Sequence, residues 1–145
     1  MWTQFRVISP SMRLAEVYLD YAEAVTAAYG PTGSAPGATM TAVDALNVVR
    51  ERAGMPPVSA AATGYPSFMD LVWNERNVEL CFEGHFWWDI RRWYVAHLPE
   101  YKDYTYFNRP VFLVRTFEDP KHYWLPLPRN LVQLYEGMPQ NPGWE

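Results

Sequence analysis

Three carboxylates stand four residues apart at Glu75, Glu79 and Glu83. On a helix that spacing sets side chains along one side. Glycoside hydrolysis asks for two carboxyls about 5–5.5 Å apart for retention, or roughly 6.5–9.5 Å for inversion. Neighbours on one helix fall near that range, so distance alone admits a glycosidase using Glu75 and Glu79. Orientation argues against it, because the pair must flank the sugar and one helix face presents both from the same side. Arg76, Arg91 and Arg92 lie close in sequence and are placed to neutralise the row. The expectation is structural ion pairing, with no catalytic residue.

Other residues offer binding rather than bond-breaking. Phe86-Trp87-Trp88-Asp89-Ile90-Arg91-Arg92-Trp93 packs three indoles into seven residues. A flat indole face suits the C–H face of a pyranose, so Trp87 and Trp88 are candidate glycan platforms. Three rings so close on a helix point in different directions, and at least one must enter the core. Packing is the competing reading for all of them, with Arg91 or Arg92 stacked on an indole. Tyr104 and Tyr106, in the stretch 101–107, share a side if that loop is extended and are the other candidates. Arg50 falls on the apolar stripe of a helix, while Glu16, Asp20 and Glu23 form an acidic ridge on the preceding one. A semi-buried pairing of Arg50 with that ridge is expected.

Several chemistries are disfavoured. His85, His97 and His122 are scattered without metal-ligand spacing, and Cys81 is the sole cysteine, in an apolar run that suggests a buried, inert thiol. No Gly-rich phosphate loop and no nucleophile elbow occurs, and no cofactor is implied. Net charge is −4 and the basic residues form no stripe, which argues against nucleic acid. No stretch is long and apolar enough to span a bilayer.

The elements that must hold these residues are mostly helical. Ser11 reads as an N-cap for a helix over residues 13–29 that stops at Gly30-Pro31. Its apolar stripe is Leu14, Val17, Tyr18, Tyr21, Val25 and Ala28. A second helix begins at Thr39 or Thr41 and ends at Gly54, with Val43, Leu46, Arg50 and Ala53 on one face. A third runs from Pro66 or Ser67 to Glu83, and a short fourth covers residues 85–94. Residues 110–116 and 122–125 read as a β-hairpin, 130–135 as one or two helical turns, and the rest as a Pro-rich tail. The first two helices make one helix-turn-helix unit, and 145 residues make one domain.

Four pieces in order carry a family resemblance: Arg13 to Ala24, Ala45 to Gly54, Asn74 to Trp93, and Trp124-Leu125-Pro126-Leu127-Pro128 followed by Pro139 to Trp144. Together they resemble the SusD/RagB family of outer-membrane nutrient-binding lipoproteins, and specifically the C-terminal portion. Family members carry arginine where His85 or Phe86 stands and glutamate where Arg129 or Asn130 follows the Leu-Pro-Leu-Pro run. The resemblance implies a mainly α fold of tetratricopeptide-like, SusD-like helix hairpins with a short β-hairpin and an irregular C-terminal tail. It implies a piece of a longer protein, whose signal, lipidated cysteine and most tetratricopeptide-like helices lie upstream. It further implies non-catalytic capture of an oligosaccharide, or another nutrient, at the outer-membrane surface. Import would follow through a SusC-like, TonB-dependent transporter. Under it, Glu16, Glu23, Arg50, Glu79, Glu83, Arg91 and Arg92 read as polar ties between helices. The alternative is a helical protein-interaction or scaffold module with no glycan site in this piece. Helices missing upstream would leave an apolar face bare, which favours a homo-oligomer of the fragment.

Overall fold

In a computed structural model the described residues are 12–61, 66–104, 113–135 and 137–144. They form two compact units, residues 1–85 and 86–145. Mainly helical structure is what the periodicity predicts, and none of the described helices is long and apolar enough to cross a membrane.

The first unit packs α1 (Leu14–Tyr29) against α2 (Ala42–Arg52) and α3 (Phe68–Glu79). The buried stripe of α1 is Ala15, Leu19, Ala22 and Val25. Leu14 and Val17, expected inside, are exposed. The small Ala15 and Ala22 let the neighbouring backbones approach, so the inward face alternates them with Leu19 and Val25 and leaves Leu14 and Val17 outside. Tyr21 reaches across to donate to Met40 O at 2.6 Å, fixing the connection ahead of α2. A capping box then starts α2: Thr41 Oγ1 accepts from Asp44 N at 3.1 Å, and Asp44 Oδ2 accepts from Thr41 N at 2.9 Å. Leu46, Val49 and Val72 join Leu19 in a core whose members each contribute about 1.5–3 kcal/mol. Past the helix, Asn47 holds the chain by donating to Val58 O at 2.9 Å and accepting from Val58 N at 2.8 Å.

Ser67 caps α3, accepting from Asp70 N at 3.2 Å. That helix ends at Glu79 and not at Glu83, because the chain turns into the left-handed region at Phe82 (φ 66°) and again at Gly84 (φ 86°). Two consequences follow. Glu83 leaves the row of Glu75 and Glu79, and Cys81 is exposed instead of buried. Ser11 lies outside the described residues, and Arg13 occupies the N-cap position of α1 without a side-chain cap.

The second unit contains most of α4 (His85–Arg92), then α5 (Pro99–Lys102), β1 (Asp103–Tyr104), β2 (Leu113–Val114) and α6 (Arg129–Leu134). The sheet is antiparallel, Asp103 opposite Val114 and Tyr104 opposite Leu113. The expected hairpin over 110–116 and 122–125 is therefore displaced. Its first strand survives as β2, but residues 121–123 form a 3-10 turn. The cause is local: His122 N donates to Glu118 O, and Glu118 N donates to His122 Nδ1, both at 2.8 Å. Those bonds close the segment on itself, so no strand edge remains there for pairing.

The tail is tied down by two side-chain amides and an indole. Gln140 accepts from Leu127 N at 2.7 Å and donates to Leu127 O at 2.9 Å, imitating a strand partner for the Leu-Pro-Leu-Pro run. Asn141 adds a bond to Leu125 O at 2.6 Å, and Trp144 Nε1 donates to Lys121 O and Trp124 O, both at 3.0 Å. Prolines leave carbonyls without neighbouring N–H groups, and the Gln-Asn pair supplies the missing partners.

Candidate functional site

Two constellations carry the chemistry, one in each unit. In the first, Glu75 and Glu79 of α3 and Glu83 just beyond it each meet a guanidinium. Glu75, buried, accepts from Arg50 Nη1, and Arg50 Nε donates to Pro56 O at 3.0 Å. Glu79 Oε1 accepts from Arg13 at 2.8 Å and from Arg52 at 2.6 Å. Glu83, on the turn, takes Arg13 in a two-pronged pair, Nε to Oε2 at 3.0 Å and Nη2 to Oε1 at 2.7 Å. The hydrogen bond from Arg13 holds the Glu83 carboxyl below the usual carboxylate range, and the bonds from Glu83 and then Glu79 raise Arg13 further above its own. The expected partner of Arg50 is corrected by this geometry. It pairs with Glu75 on α3, while the α1 ridge is met from other directions. Asp20 accepts from the buried Arg76 at 2.5 Å, Glu16 lies 3.6 Å from His85 Nδ1, and Glu23 is half-buried on α1. The reason is spacing: α3 presents Glu75 and Arg76 to α2 and α1 respectively, so the braces run through α3 rather than directly between α1 and α2.

Sequence reasoning missed Arg13, Arg52 and the exchange between Glu75 and Arg76. A usable signal existed in Arg13 and Arg52. Both stand at helix ends, where a long side chain can reach a neighbour while its stem stays outside.

In the second unit, a cavity of about 400 Å³ lies among α4, the segment after β2, and the tail. That is within the ~300–1,000 Å³ typical of small-molecule sites. Trp87, Phe117, Trp124 and Trp144 supply its rings, Ile90 and Ala96 its floor, and Lys102, Arg91, Arg115 and His122 its polar edge. Arg91 sits 3.3 Å above the centre of the Trp87 ring and donates to Trp87 O at 2.9 Å, so one indole face is already covered. Trp124, 56% exposed, is the ring most open to a visitor. Behind the cavity Tyr94 and Tyr123 stack with centres 4.1 Å apart, Tyr123 shares a 2.6 Å hydrogen bond with His97 Nδ1, and Phe117 meets Tyr123 edge-on at 4.9 Å. Burial pushes the Tyr123 hydroxyl above its ordinary pKa, so the wall is neutral.

Of the aromatic candidates, Trp87 lines this cavity, and Trp88 is exposed on the same helix without lining it. Tyr106 and the side chain of Tyr104 lie outside the described residues. Arg92 pairs with the buried Asp89 of its own helix at 2.8 Å. No group of three His, Cys, Asp or Glu suited to a metal occurs among the described residues. What the sequence did not announce is that Trp124 and Trp144, read as parts of a tail motif, come together with Trp87. Nothing in local periodicity links positions so far apart.

A sequence profile of the SusD family matches residues 7–144. Among solved structures, the protein BT4246 superposes with a TM-score of 0.74 at 32% identity, covering 95% of this chain and 24% of its own. A SusD-like protein, BF3747 of Bacteroides fragilis NCTC 9343, superposes with a TM-score of 0.70 at 27% identity, covering 92% and 25%. The chain thus spans about a quarter of the length of the solved structures it matches. No curated protein sequence matches it.

Proposed function

The chain belongs to the SusD family, and from that premise we propose that it serves non-catalytic capture of an oligosaccharide at the outer-membrane surface, as the C-terminal part of a longer lipid-anchored protein. The captured sugar passes to a SusC-like, TonB-dependent transporter for import. The observation that carries the reading is the aromatic cavity. Four rings converge around a space suited to a small ligand, and an exposed indole such as Trp124 offers a flat apolar face to sugar C–H groups. Trp87, in the cavity wall, is a first contact, and Trp88, Tyr104 and Tyr106 stay candidates on their residue type alone.

The carboxylates support binding without hydrolysis. Glu75 and Glu79 are sequestered by Arg50, Arg13 and Arg52, and neither lines the cavity. A general acid must reach the oxygen it protonates, and carboxylates held in ion pairs away from the cavity do not.

Tryptophan fluorescence across a panel of oligosaccharides tests this. Saturable quenching, lost in Trp124→Ala, is the expected result, and a flat response from the whole panel refutes it. A second reading, a protein-docking module, draws on Leu14, Val78 and Phe82, which are large, apolar and exposed in the first unit. It predicts concentration-dependent association in sedimentation that Phe82→Asn weakens, with no response to sugars.

A further inference from the structure

The cavity is not only aromatic. Three cations stand on its edge, Arg91, Arg115 and Lys102, while none of the described residues that line it is acidic. This is a concentration against the trend, because the chain as a whole carries a net charge of −4. The two arginines are held in place rather than waving in solvent. Arg91 is fixed by the Trp87 ring and carbonyl, and Arg115 donates to Tyr101 O at 2.5 Å. Lys102 is set by the strand pairing that follows it, since its carbonyl accepts from Arg115 N at 2.9 Å. Fixed cations of one sign beside apolar walls make a field that attracts an anion and repels a cation. Burial, and then the charge of Arg115, lower the pKa of Arg91 from its ordinary value, in keeping with two guanidiniums facing one space. An anion entering between them relieves that repulsion.

A sugar hydroxyl both donates and accepts, whereas a carboxylate or sulfate only accepts, and the polar edge here is rich in donors: two guanidiniums, an ammonium, the Thr116 hydroxyl and His122. We propose that this cavity takes an acidic sugar, a pyranose ring stacked on the exposed indoles with its carboxylate or sulfate ester directed at Arg91, Arg115 and Lys102. The inference rests on the capture reading above and narrows its ligand class.

Calorimetric titration of the full chain at low salt tests it with three pairs of trisaccharides: galacturonate against its methyl ester, glucuronate-capped xylose against unsubstituted xylose, and 6-sulfated galactose against galactose. The acidic member of at least one pair should bind about tenfold tighter or better, as expected when a hydrogen bond becomes charge-assisted. Which pair responds separates carboxylate from sulfate. The preference should shrink severalfold in 0.5 M NaCl, where the screening length falls to a few ångströms, roughly 4 Å. Arg115→Gln and Lys102→Gln should each lower the acidic sugar's affinity by a larger factor than its neutral partner's, and an equal loss for both members of a pair overturns the charge contact. Lys102, at the end of a short surface helix, can be replaced without disturbing the Arg91–Trp87 stack. Equal affinity within every pair overturns the acidic preference and leaves sugar capture standing. Failure of all six sugars to bind overturns both.

Discussion

Removing Arg50 should cost far more than removing an ordinary surface arginine, and the reason lies in the carboxylate it leaves behind. The side chains of Arg50 and Glu75 retain only 12% and 9% of their full exposure, and the pair joins α2 to α3. Arg50→Ala returns about 2 kcal/mol of rotamer freedom but strands Glu75, and the expected net loss is about 3 kcal/mol. Glu75→Leu strands the guanidinium with a similar loss, softened by the bond that Arg50 Nε keeps to Pro56 O. With both replaced, as Arg50→Met with Glu75→Leu, no charge is left unpaired. The double variant should then cost only about 1 kcal/mol, for the lost bond to Pro56 O, rather than the ~6 of independent sites, a coupling of about 5 kcal/mol. Urea unfolding followed by far-ultraviolet circular dichroism reads the helices directly. Five of the seven tryptophans lie beyond residue 85, so fluorescence would report chiefly on the other unit. Additive losses, with a coupling under about 0.5 kcal/mol, or a loss under about 0.5 kcal/mol for Arg50→Ala, would refute the buried-brace argument.

Two further outcomes follow from local geometry. Gly143 has φ of 80°, and a Cβ there would meet Lys121 Cβ at 2.9 Å, whereas Gly137 has φ of 78° with open space around it. Gly137→Ala should therefore cost about 1 kcal/mol of backbone strain and Gly143→Ala roughly 2 kcal/mol, with thermal unfolding as the measure and equal losses as the refutation. The second concerns acid. The Glu83 carboxyl is held below its usual 4.5 by the hydrogen bond from Arg13. Its contribution to stability is thus present above that usual value and lost as pH falls through the lower folded-state value. Arg13→Gln should move the Glu83 midpoint in a carboxyl-detected NMR titration back up toward 4.5, and an unmoved midpoint would assign the shift to something else.

The helices and their order were legible because apolar spacing, Thr41 and Ser67 caps and the Gly54 stop act within a few residues of each other. What was not legible was rotation and partnership. The α1 stripe could be drawn through Leu14 and Val17 or through Ala15, Leu19 and Ala22, and the two differ by about one residue's turn. The helix chose the second because alanines permit a closer backbone approach, a property of the neighbour and not of the stripe. Arg50 was correctly placed at a helix interface, yet its partner depended on how α3 lies, which local periodicity does not encode. The glutamate row failed at Glu83 for a smaller reason. A phenylalanine in left-handed conformation at position 82 is uncommon, so Gly84 looked like the first stop.

The same distinction separates the two constellations. In the first unit Asp20, Glu75, Glu79 and Glu83 each have a guanidinium within hydrogen-bond reach, so charge is cancelled between the helices and the result is rigidity. In the second, three cations line a cavity with no acidic residue among its described lining residues, while Asp89 pairs with Arg92 and Asp119 accepts from the Tyr94 hydroxyl. Charge paired between helices holds them together, and cations beside exposed rings are what the proposed acidic ligand would meet. A family motif such as Leu-Pro-Leu-Pro with Gln-Asn then has a physical role: by closing Leu127 and Leu125 onto the tail, Gln140 and Asn141 bring Trp144 against Trp124. The scaffold motif and the cavity wall are thus one construction, and loosening the first should unmake the second.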